Sequence, residues 1–233
     1  MTHITIHNDL IQGSDEWLAA RCGLLTASEM KLIITPTLKI ASNEKERAHL
    51  WELLGQRITQ YVEPHYVSDD MLRGQEDEVF ARAAYSEHYA PVEEAGFITN
   101  NRWGFTIGYS PDGLVGDDGL IECKSRRQKY QIETIATNTV PTEYWIQLQT
   151  GLLVAERQWI DFVSYSGGLP MCVIRVHPDP AAHEAIVNAA GEFERRLAEK
   201  LALYHEAVAT RKMVPTERRV EQEMFLGEGG EDG

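Results

Sequence analysis

Two carboxylates and a lysine stand out in the middle of the chain. Asp112 lies in the segment Ser-Pro-Asp-Gly, and Glu122 and Lys124 lie in the segment Ile-Glu-Cys-Lys that follows it. Because side chains alternate along a strand, Glu122 and Lys124 are expected on the same strand face. A turn at residues 116–119 would fold that strand back beside Asp112. The spacing therefore predicts two carboxylates and an ammonium group close together.

This combination suits the hydrolysis of a phosphodiester. Two carboxylates can hold a hard cation such as Mg²⁺, which neutralises a phosphate oxygen and lowers the pKa of a water molecule. Lys124 would hold that water or the developing negative charge, and the backbone carbonyl of Cys123 is expected as a further ligand. We therefore predict a Mg²⁺-dependent nuclease in which Mn²⁺ can substitute. A hairpin with ordinary surface charges is the alternative, because the spacing Asp-x₉-Glu-x-Lys is by itself a weak pattern.

A third carboxylate is expected from a helix that begins near Gly74. Glu76, Asp77 and Glu78 compete for this role. We favour Glu78 because it shares a helix face with Arg82. A solvated acidic helix start is the alternative, since negative charge is favourable near a helix N-terminus.

The elements that must position these residues follow from hydrophobic periodicity and turn signals. Apolar residues at helical spacing predict helices at residues 14–23, from about 28, and at 43–61, 74–89, 141–155 and 182–204. Short apolar runs between Gly, Pro and Asp predict strands at residues 96–99, 105–109, 114–115, 120–124, 159–165 and 171–176. We expect an α/β fold with a central mixed sheet of about five strands flanked by helices. A single domain at residues 1–212 would precede an acidic, flexible tail at 213–233.

Composition restricts the class of protein. A net charge of -14 and a pI near 5.0 argue against general nucleic-acid binding, so any DNA site must be a local basic groove. Three cysteines without CxxC spacing argue against a disulfide framework, a structural zinc site or an iron-sulfur cluster. No apolar run reaches the ~18 residues of a membrane span, and the N-terminal segment lacks the pattern of a secretory signal. We therefore expect a cytoplasmic protein without a membrane partner.

Together with further segments in the same order, these motifs resemble the lambda exonuclease and YqaJ-like viral recombinase group of the PD-(D/E)xK nuclease superfamily. The further segments are Gly-Ser-Asp-Glu-Trp-Leu at 13–18, Thr-Ala-Ser-Glu at 26–29, Arg-Gly at 73–74 and Tyr-Trp-Ile-Gln-Leu-Gln at 144–149. The resemblance covers roughly residues 13–165 and implies a restriction-endonuclease-like core. It implies the following site residues: Asp112 and Glu122 as metal ligands, Lys124 as the catalytic lysine, Glu78 as the helix-borne acid, and Gln147 as a glutamine beside the site.

The resemblance also implies a pocket for a terminal 5′ phosphate at Arg21 and Ser28. An arginine, a hydroxyl group and the exposed amides of a helix that begins near Ser28 would together bind such an anion. The alternatives are a surface arginine on an amphipathic helix and a serine that only caps the next helix.

Four further residues are expected to contact DNA. Tyr144 would lie one turn before Gln147 on the same helix face. Met71 would separate the terminal base pairs or, in the alternative, serve as a buried anchor, as would its neighbour Leu72. Arg126 and Arg127 belong to the densest basic cluster of the chain, which either follows the DNA or forms a solvated loop.

Proteins of this group digest linear duplex DNA from the 5′ end and leave a 3′ single strand for an annealing protein, and several are ring-shaped trimers. We therefore expect a 5′-to-3′ exonuclease of phage-type recombination in a bacterial cytoplasm. The expected assembly is a homotrimer, and the expected partner is a single-strand annealing protein. An endonuclease or repair nuclease of the same fold, and a catalytically silent DNA-end-binding module, are the alternatives.

Overall fold

A computed structural model describes residues 3–64 and 68–218 of the chain. A first mixed sheet of four strands has the spatial order β1-β3-β4-β2. Its strands are β1 (Ile4–His7), β2 (Leu25–Thr26), β3 (Phe97–Asn100) and β4 (Ile107–Tyr109). The β1–β3 and β3–β4 pairs are antiparallel, and the short β2 pairs in parallel with β4 at one edge.

A second mixed sheet of four strands has the order β5-β6-β7-β8. Its strands are β5 (Gly113–Val115), β6 (Gly119–Ser125), β7 (Trp159–Tyr165) and β8 (Cys172–Val176). β5 and β6 form the expected hairpin, and β6 continues in parallel with β7 along its whole length. Only residues 110–112 separate β4 from β5, so this short segment joins the two sheets.

Seven helices surround the sheets within the described residues. They are α1 (Asp15–Arg21), α2 (Met30–Ile33), α3 (Glu44–Thr59), α4 (Asp69–His88), α5 (Gln128–Thr137), α6 (Thr142–Ala155) and α7 (Pro180–Thr210). Side chains cap several of them, as for Ser14, which accepts a hydrogen bond from the backbone of Trp17 at 3.2 Å. None of the helices in the described ranges is long and apolar enough to cross a membrane.

The main hydrophobic core lies between the two sheets around α6. This helix packs on β3 and β4 of the first sheet and on β7 of the second. A smaller cluster covers the other face of the second sheet, where Ala81 and Tyr85 of α4 meet Ile121 and Cys123 of β6. Leu120 belongs to the main core instead, so β6 alternates between its two faces as predicted.

The predicted fold class is confirmed, with differences in detail. Two four-stranded sheets take the place of a single sheet of about five strands. Sequence patterns missed β1, β2 and α5, for physical reasons. β1 has largely exposed residues, β2 has only two residues, and the buried residues of α5 are the polar Gln131 and Thr134 rather than an apolar stripe.

Other helix boundaries also differ from the predictions. α2 has only four residues, α4 begins five residues earlier than predicted, and α7 extends to Thr210. Residues 213–218 are exposed and form no regular element, while most of the predicted tail lies outside the described residues. The domain boundary at residue 212 therefore stays a prediction.

Candidate active site

The side chains of Asp112 and Glu122 lie next to each other at the start of the second sheet. Asp112 directly precedes β5, and its Oδ2 accepts a hydrogen bond from the backbone N–H of Cys123 at 2.6 Å. Glu122 is the neighbouring residue in β6. The side chains of both acids are buried, with residue exposures of 7% for Asp112 and 2% for Glu122. The hairpin thus brings together the two carboxylates that the sequence singled out.

Three donors from three elements surround the carboxylate of Glu122. Lys124 Nζ donates to Oε1 at 2.6 Å, and Gln147 Nε2 of α6 donates to the same oxygen. The hydroxyl of Tyr109 in β4 donates to Oε2 at 2.9 Å. The structure therefore brings Lys124 and Gln147 to the predicted place and adds Tyr109, which sequence reasoning had not selected.

The acidic residues of α4 divide into different environments. Arg82 Nη1 donates to Glu78 Oε1 at 3.3 Å and to the backbone carbonyl of Asp112 at 3.0 Å, so it links this helix to the carboxylate site. Asp77 instead accepts a hydrogen bond from Ser125 Oγ at 2.6 Å. Glu76 is exposed to solvent. The geometry therefore favours Glu78 over Glu76 and Asp77 as the helix-borne acid.

Burial and mutual repulsion dominate the electrostatics of the site. Burial raises the pKa of Asp112 well above its ordinary value, and the negative charges of Glu122 and Glu78 raise it further. Burial also raises the pKa of Glu78, although the guanidinium of Arg82 opposes this shift. For Lys124, burial lowers the pKa, but the nearby carboxylates outweigh it and raise the pKa above its ordinary value. Lys124 is therefore positively charged at neutral pH.

The carboxylates suit a hard cation by their chemistry. Among residues 3–64 and 68–218, no group of three or more His, Cys, Asp or Glu side chains is arranged to hold a metal ion. The oxygen donors nevertheless have the required type, and the repulsion that raises the pKa of Asp112 would be relieved by a cation. The side chain of Cys123 packs in the cluster under α4, and the role of its carbonyl stays a prediction.

Arg21 belongs to a second group of polar residues, at the edge of the first sheet. Its Nη1 donates to Ser110 Oγ at 3.0 Å, and its Nη2 lies 3.4 Å from Thr26 Oγ1. Its guanidinium also lies over the ring of Trp17, 4.2 Å from the centroid. Burial lowers the pKa of Arg21, and the charge of Glu29 opposes this shift. Arg21 is thus an oriented cation rather than a free surface arginine.

Ser28 lies beside this group but does not cap a helix. Its Oγ is 3.3 Å from Thr26 Oγ1, and its side chain is exposed. The N-cap of α2 is Glu29, which makes no side-chain capping bond, and α2 begins at Met30. The capping alternative for Ser28 is therefore wrong, and the helix begins two residues after Ser28.

A cavity of about 1000 Å³ is lined by residues of the Arg21 group and by residues of α4. Its wall includes Arg21 and Thr26 as well as Glu78 and Arg82. Met71 also lines this cavity and is 51% exposed. Since Leu72 beside it is half exposed as well, neither residue is a buried anchor. The strand-separating role of Met71 stays a prediction.

Tyr144 lies near Lys124, and Arg126 contacts Tyr144. The ring centroid of Tyr144 is 5.6 Å from Lys124 Nζ, and its hydroxyl accepts a hydrogen bond from Arg126 Nη1 at 2.9 Å. The Arg126 side chain is only 7% exposed and also pairs with Glu143 at 2.8 Å. Arg126 is therefore not part of a solvated loop. Arg127 is exposed directly before α5.

Comparison with known families identifies the chain. The family model of the YqaJ-like viral recombinase domain matches residues 16–158, which is more than half of the chain. The chain belongs to this family. The matched residues include Asp112, Glu122 and Lys124 as well as Arg21, and the predicted resemblance is confirmed.

Solved structures agree with this membership. The chain is similar to an alkaline exonuclease, LHK-Exo, from Laribacter hongkongensis, with 34% identity and a TM-score of 0.75 over 84% of this chain and 98% of that chain. A structure of LHK-Exo in complex with dAMP matches at 35% identity with a TM-score of 0.76 and the same coverage. A phage-related exonuclease from Haemophilus somnus 129PT shares the fold, with 15% identity and a TM-score of 0.52 over 76% of this chain and 96% of that chain. Comparison with curated proteins gave no match.

Sequence patterns did not indicate three of the residues that form these contacts, namely Trp17, Tyr109 and Ser110. Trp17 Nε1 donates to Ser110 Oγ at 3.0 Å, and Tyr109 donates to Glu122. The four-residue spacing of Trp17 and Arg21 on one helix was a usable signal. For Tyr109 and Ser110, the only signal was their position three and two residues before Asp112.

Proposed function

We propose that the chain is a Mg²⁺-dependent 5′-to-3′ exonuclease that digests one strand of linear double-stranded DNA. The product would be a 3′ single strand for recombination by strand annealing. The observation that carries this proposal is the cavity whose wall holds both the Arg21 group and Glu78 of the carboxylate site. A pocket for a terminal phosphate that opens beside a hydrolytic site is what an end-directed nuclease requires.

The broader activity follows from the family. The chain is a nuclease of the phage-type exonuclease group, as its membership and its 34% identity to an alkaline exonuclease indicate. LHK-Exo has been solved in complex with dAMP, a deoxynucleoside monophosphate. Removal of single nucleotides from a DNA end releases this kind of molecule, which supports an exonuclease over an endonuclease.

The roles of the carboxylate site follow from its hydrogen bonds and charges. Asp112, Glu122 and the carbonyl of Cys123 would hold Mg²⁺, with Glu78 as the helix-borne acid of the site. The ion when bound would supply charge neutralisation at the phosphate and acidify a water molecule. Gln147 and Tyr109 hold the carboxylate of Glu122 in one orientation.

Lys124 acts as a donor in this proposal. The carboxylates around it raise its pKa, so it is protonated at neutral pH and cannot serve as a general base there. Its ammonium group, 2.6 Å from Glu122 Oε1, would instead stabilise the negative charge that develops on the phosphate.

End recognition would use Arg21 with the hydroxyls of Ser28 and Ser110. A terminal 5′ phosphate would replace the hydrogen bond that Arg21 now donates to Ser110 with stronger bonds to a charged acceptor. Ser110 and Asp112 are two residues apart, and two residues span at most about 7 Å. This distance is on the scale of one nucleotide, so the next phosphodiester would lie at the carboxylates.

The wider setting belongs to the same proposal. Family resemblance supports a ring-shaped homotrimer, an annealing protein as partner, and a phage or prophage origin in a bacterial host. Tyr144, Met71, Arg126 and the exposed Arg127 are the proposed further DNA contacts. The net charge of -14 favours confinement of DNA to a locally basic channel.

A timed digestion of linear duplex DNA tests the proposal. Ends with a 5′ phosphate and ends with a 5′ hydroxyl are compared in Mg²⁺ and in Mn²⁺, with closed circular DNA and an Asp112→Asn protein as controls. We expect progressive loss of the 5′-phosphorylated strand only, and no loss with the variant. Cutting of the closed circle would indicate an endonuclease or repair nuclease, and no cutting with either ion would indicate a DNA-end-binding module.

A further inference from the structure

The turn between α1 and β2 is held by two consecutive residues of α3. Gln56 Oε1 accepts a hydrogen bond from the backbone N–H of Gly23 at 2.8 Å. Arg57 Nε donates to the backbone carbonyl of Gly23, also at 2.8 Å. Both backbone polar groups of Gly23 are therefore bound by α3, and Cys22 Sγ adds a weaker contact to the carbonyl of Gln56 at 3.5 Å.

Arg57 is in turn fixed by α7. Its Nη1 and Nη2 donate to the two carboxylate oxygens of Glu194 at 2.7 and 2.6 Å. The side chains are 29% and 15% exposed, so this two-bonded pair is partly shielded from water. Such a pair fixes the plane of the guanidinium, which leaves Nε directed at Gly23. Arg57 thus joins α7 to the turn through one rigid group.

Gly23 lies directly against the side chain of Arg57. Its φ is +70°, a conformation that favours glycine, and a Cβ at this position would lie 2.6 Å from Arg57 Cγ. The close approach and the two hydrogen bonds leave the turn little freedom to shift.

This turn separates the two sides of the proposed phosphate pocket. Arg21 lies two residues before Gly23, and Thr26 lies three residues after it. Arg21 Nη2 and Thr26 Oγ1 are 3.4 Å apart, and both residues line the cavity together with Gln56. A displacement of Gly23 would therefore change the distance between Arg21 and the hydroxyl groups opposite it.

We propose that Arg57, held by Glu194, is a positioning residue for recognition of the 5′ phosphate. The inference rests on the end recognition proposed above and extends it to a residue that need not touch DNA. Arg57 fixes the turn at Gly23, and the turn fixes the spacing of the pocket. Its loss should weaken the binding of a phosphate and leave hydrolysis itself intact.

The test compares Arg57→Met with a matched variant, Arg196→Met. Arg196 forms another ion pair between α7 and α3, with Glu46 Oε1 at 2.6 Å, and Glu46 is buried. Neither Arg196 nor Glu46 has a hydrogen bond to the turn among those of the described residues. Kinetic constants are measured on duplexes with 5′-phosphate and 5′-hydroxyl ends, and thermal unfolding is measured for each protein.

We expect Arg57→Met to reduce the preference for 5′-phosphate ends roughly five- to tenfold, the effect of one or two lost hydrogen bonds. The change should appear in KM for phosphorylated ends, with kcat and the rate on hydroxyl ends retained. The lysine of Arg57→Lys can reach only one of the two partners, Gly23 and Glu194. The preference of this variant should therefore lie between those of the wild type and of Arg57→Met. Arg196→Met should unfold at a lower temperature but keep the full preference.

Two results would overturn the inference. An unchanged preference for 5′-phosphate ends in Arg57→Met would show that the contact of Arg57 with the turn does not determine the spacing of the pocket. An equal loss in Arg196→Met would show that the preference follows general stability instead of the position of Gly23. A wild-type protein that does not distinguish the two ends would contradict the end recognition itself, so this failure is recognised before any variant is compared.

Discussion

The carboxylate site and the Arg21 region are built in different ways. The carboxylate site lies on β6, which is paired on both sides, and its acid side chains are buried and hydrogen-bonded to strand or helix residues. The Arg21 region is built from the last residue of a short helix, a two-residue edge strand and a turn. The first region is therefore held by a sheet interior, and the second by side-chain contacts such as the one between Arg57 and Gly23.

This difference suits two different tasks. Hydrolysis requires fixed charges, and a paired strand supplies them without conformational cost at the time of reaction. Recognition of an end requires only a cation and hydroxyl groups at a set spacing. Residues 110–112 contribute Ser110 to one region and Asp112 to the other. This single short segment therefore limits the distance between the two regions. Changes in the first region should abolish cutting, and changes in the second should alter the choice of ends.

The largest effect is expected for Lys124→Ala. This change removes the charged donor beside Glu122, and we expect the rate of cutting to fall about 10²- to 10³-fold or more, as for other donors to a developing negative charge. Single-turnover rates and DNA binding are measured separately, and binding should be retained. Lys200→Ala, on α7, is the control. A variant at Lys124 that cuts at the normal rate would remove this residue from the mechanism.

The next largest effect separates the acids of α4. Glu78→Gln should reduce activity roughly ten- to a hundredfold and raise the Mg²⁺ concentration required, because it removes a charge beside Asp112 and Glu122. Asp77→Asn can still accept the hydrogen bond from Ser125 and should change the rate by less than about threefold. Activity is titrated with Mg²⁺ for both proteins. If the two variants exchanged these results, Asp77 would be the helix-borne acid.

Much of the first region could be predicted from sequence because it depends on local rules. Alternation along β6 and one tight turn are enough to bring Asp112, Glu122 and Lys124 together, and family resemblance added Gln147. Tyr109 could not be derived in this way. Its contact with Glu122 joins strands of two different sheets, and nothing in a local pattern states how two sheets are packed.

The second region was less predictable for the same reason. Arg21 and Ser28 were selected by resemblance, but the Ser110 hydroxyl to which Arg21 donates comes from a distant part of the chain. Ser110 lies 89 residues from Arg21, and Glu194 lies 137 residues from Arg57. Pairs at such separations leave no periodic signal in one sequence.

A moderate effect on end choice is expected for Arg21→Ala. Hydrogen bonds to a charged group are worth about 1.5–3 kcal/mol, so the preference for 5′-phosphate ends should fall about tenfold or more. The rate on 5′-hydroxyl ends should stay close to that of the wild type. Arg102→Ala, which removes an exposed arginine paired with Glu156, is the matched control. An unchanged preference would exclude Arg21 from the phosphate pocket.

The smallest effect concerns stability, and it tests whether the acids of the first region are under strain. Burial and neighbouring charge raise the pKa of Asp112 in the folded state, so its contribution to stability is present at low pH and is lost as the pH rises through that raised value. Asp112→Asn should escape this loss. Without metal, its Tm should therefore exceed that of the wild type by an amount that grows with pH and then levels off.

Thermal unfolding in a chelator is measured across the acidic and neutral range, with Arg21→Ala as the comparison from the second region. That variant should differ from the wild type by a constant amount, since no carboxylate is removed. Mg²⁺ should raise the Tm of the wild type but not of Asp112→Asn, because only the former gains a bound ion. If Asp112→Asn were less stable at every pH, the buried carboxylates would already be balanced by Lys124 and their other donors, and repulsion would not be what a cation relieves.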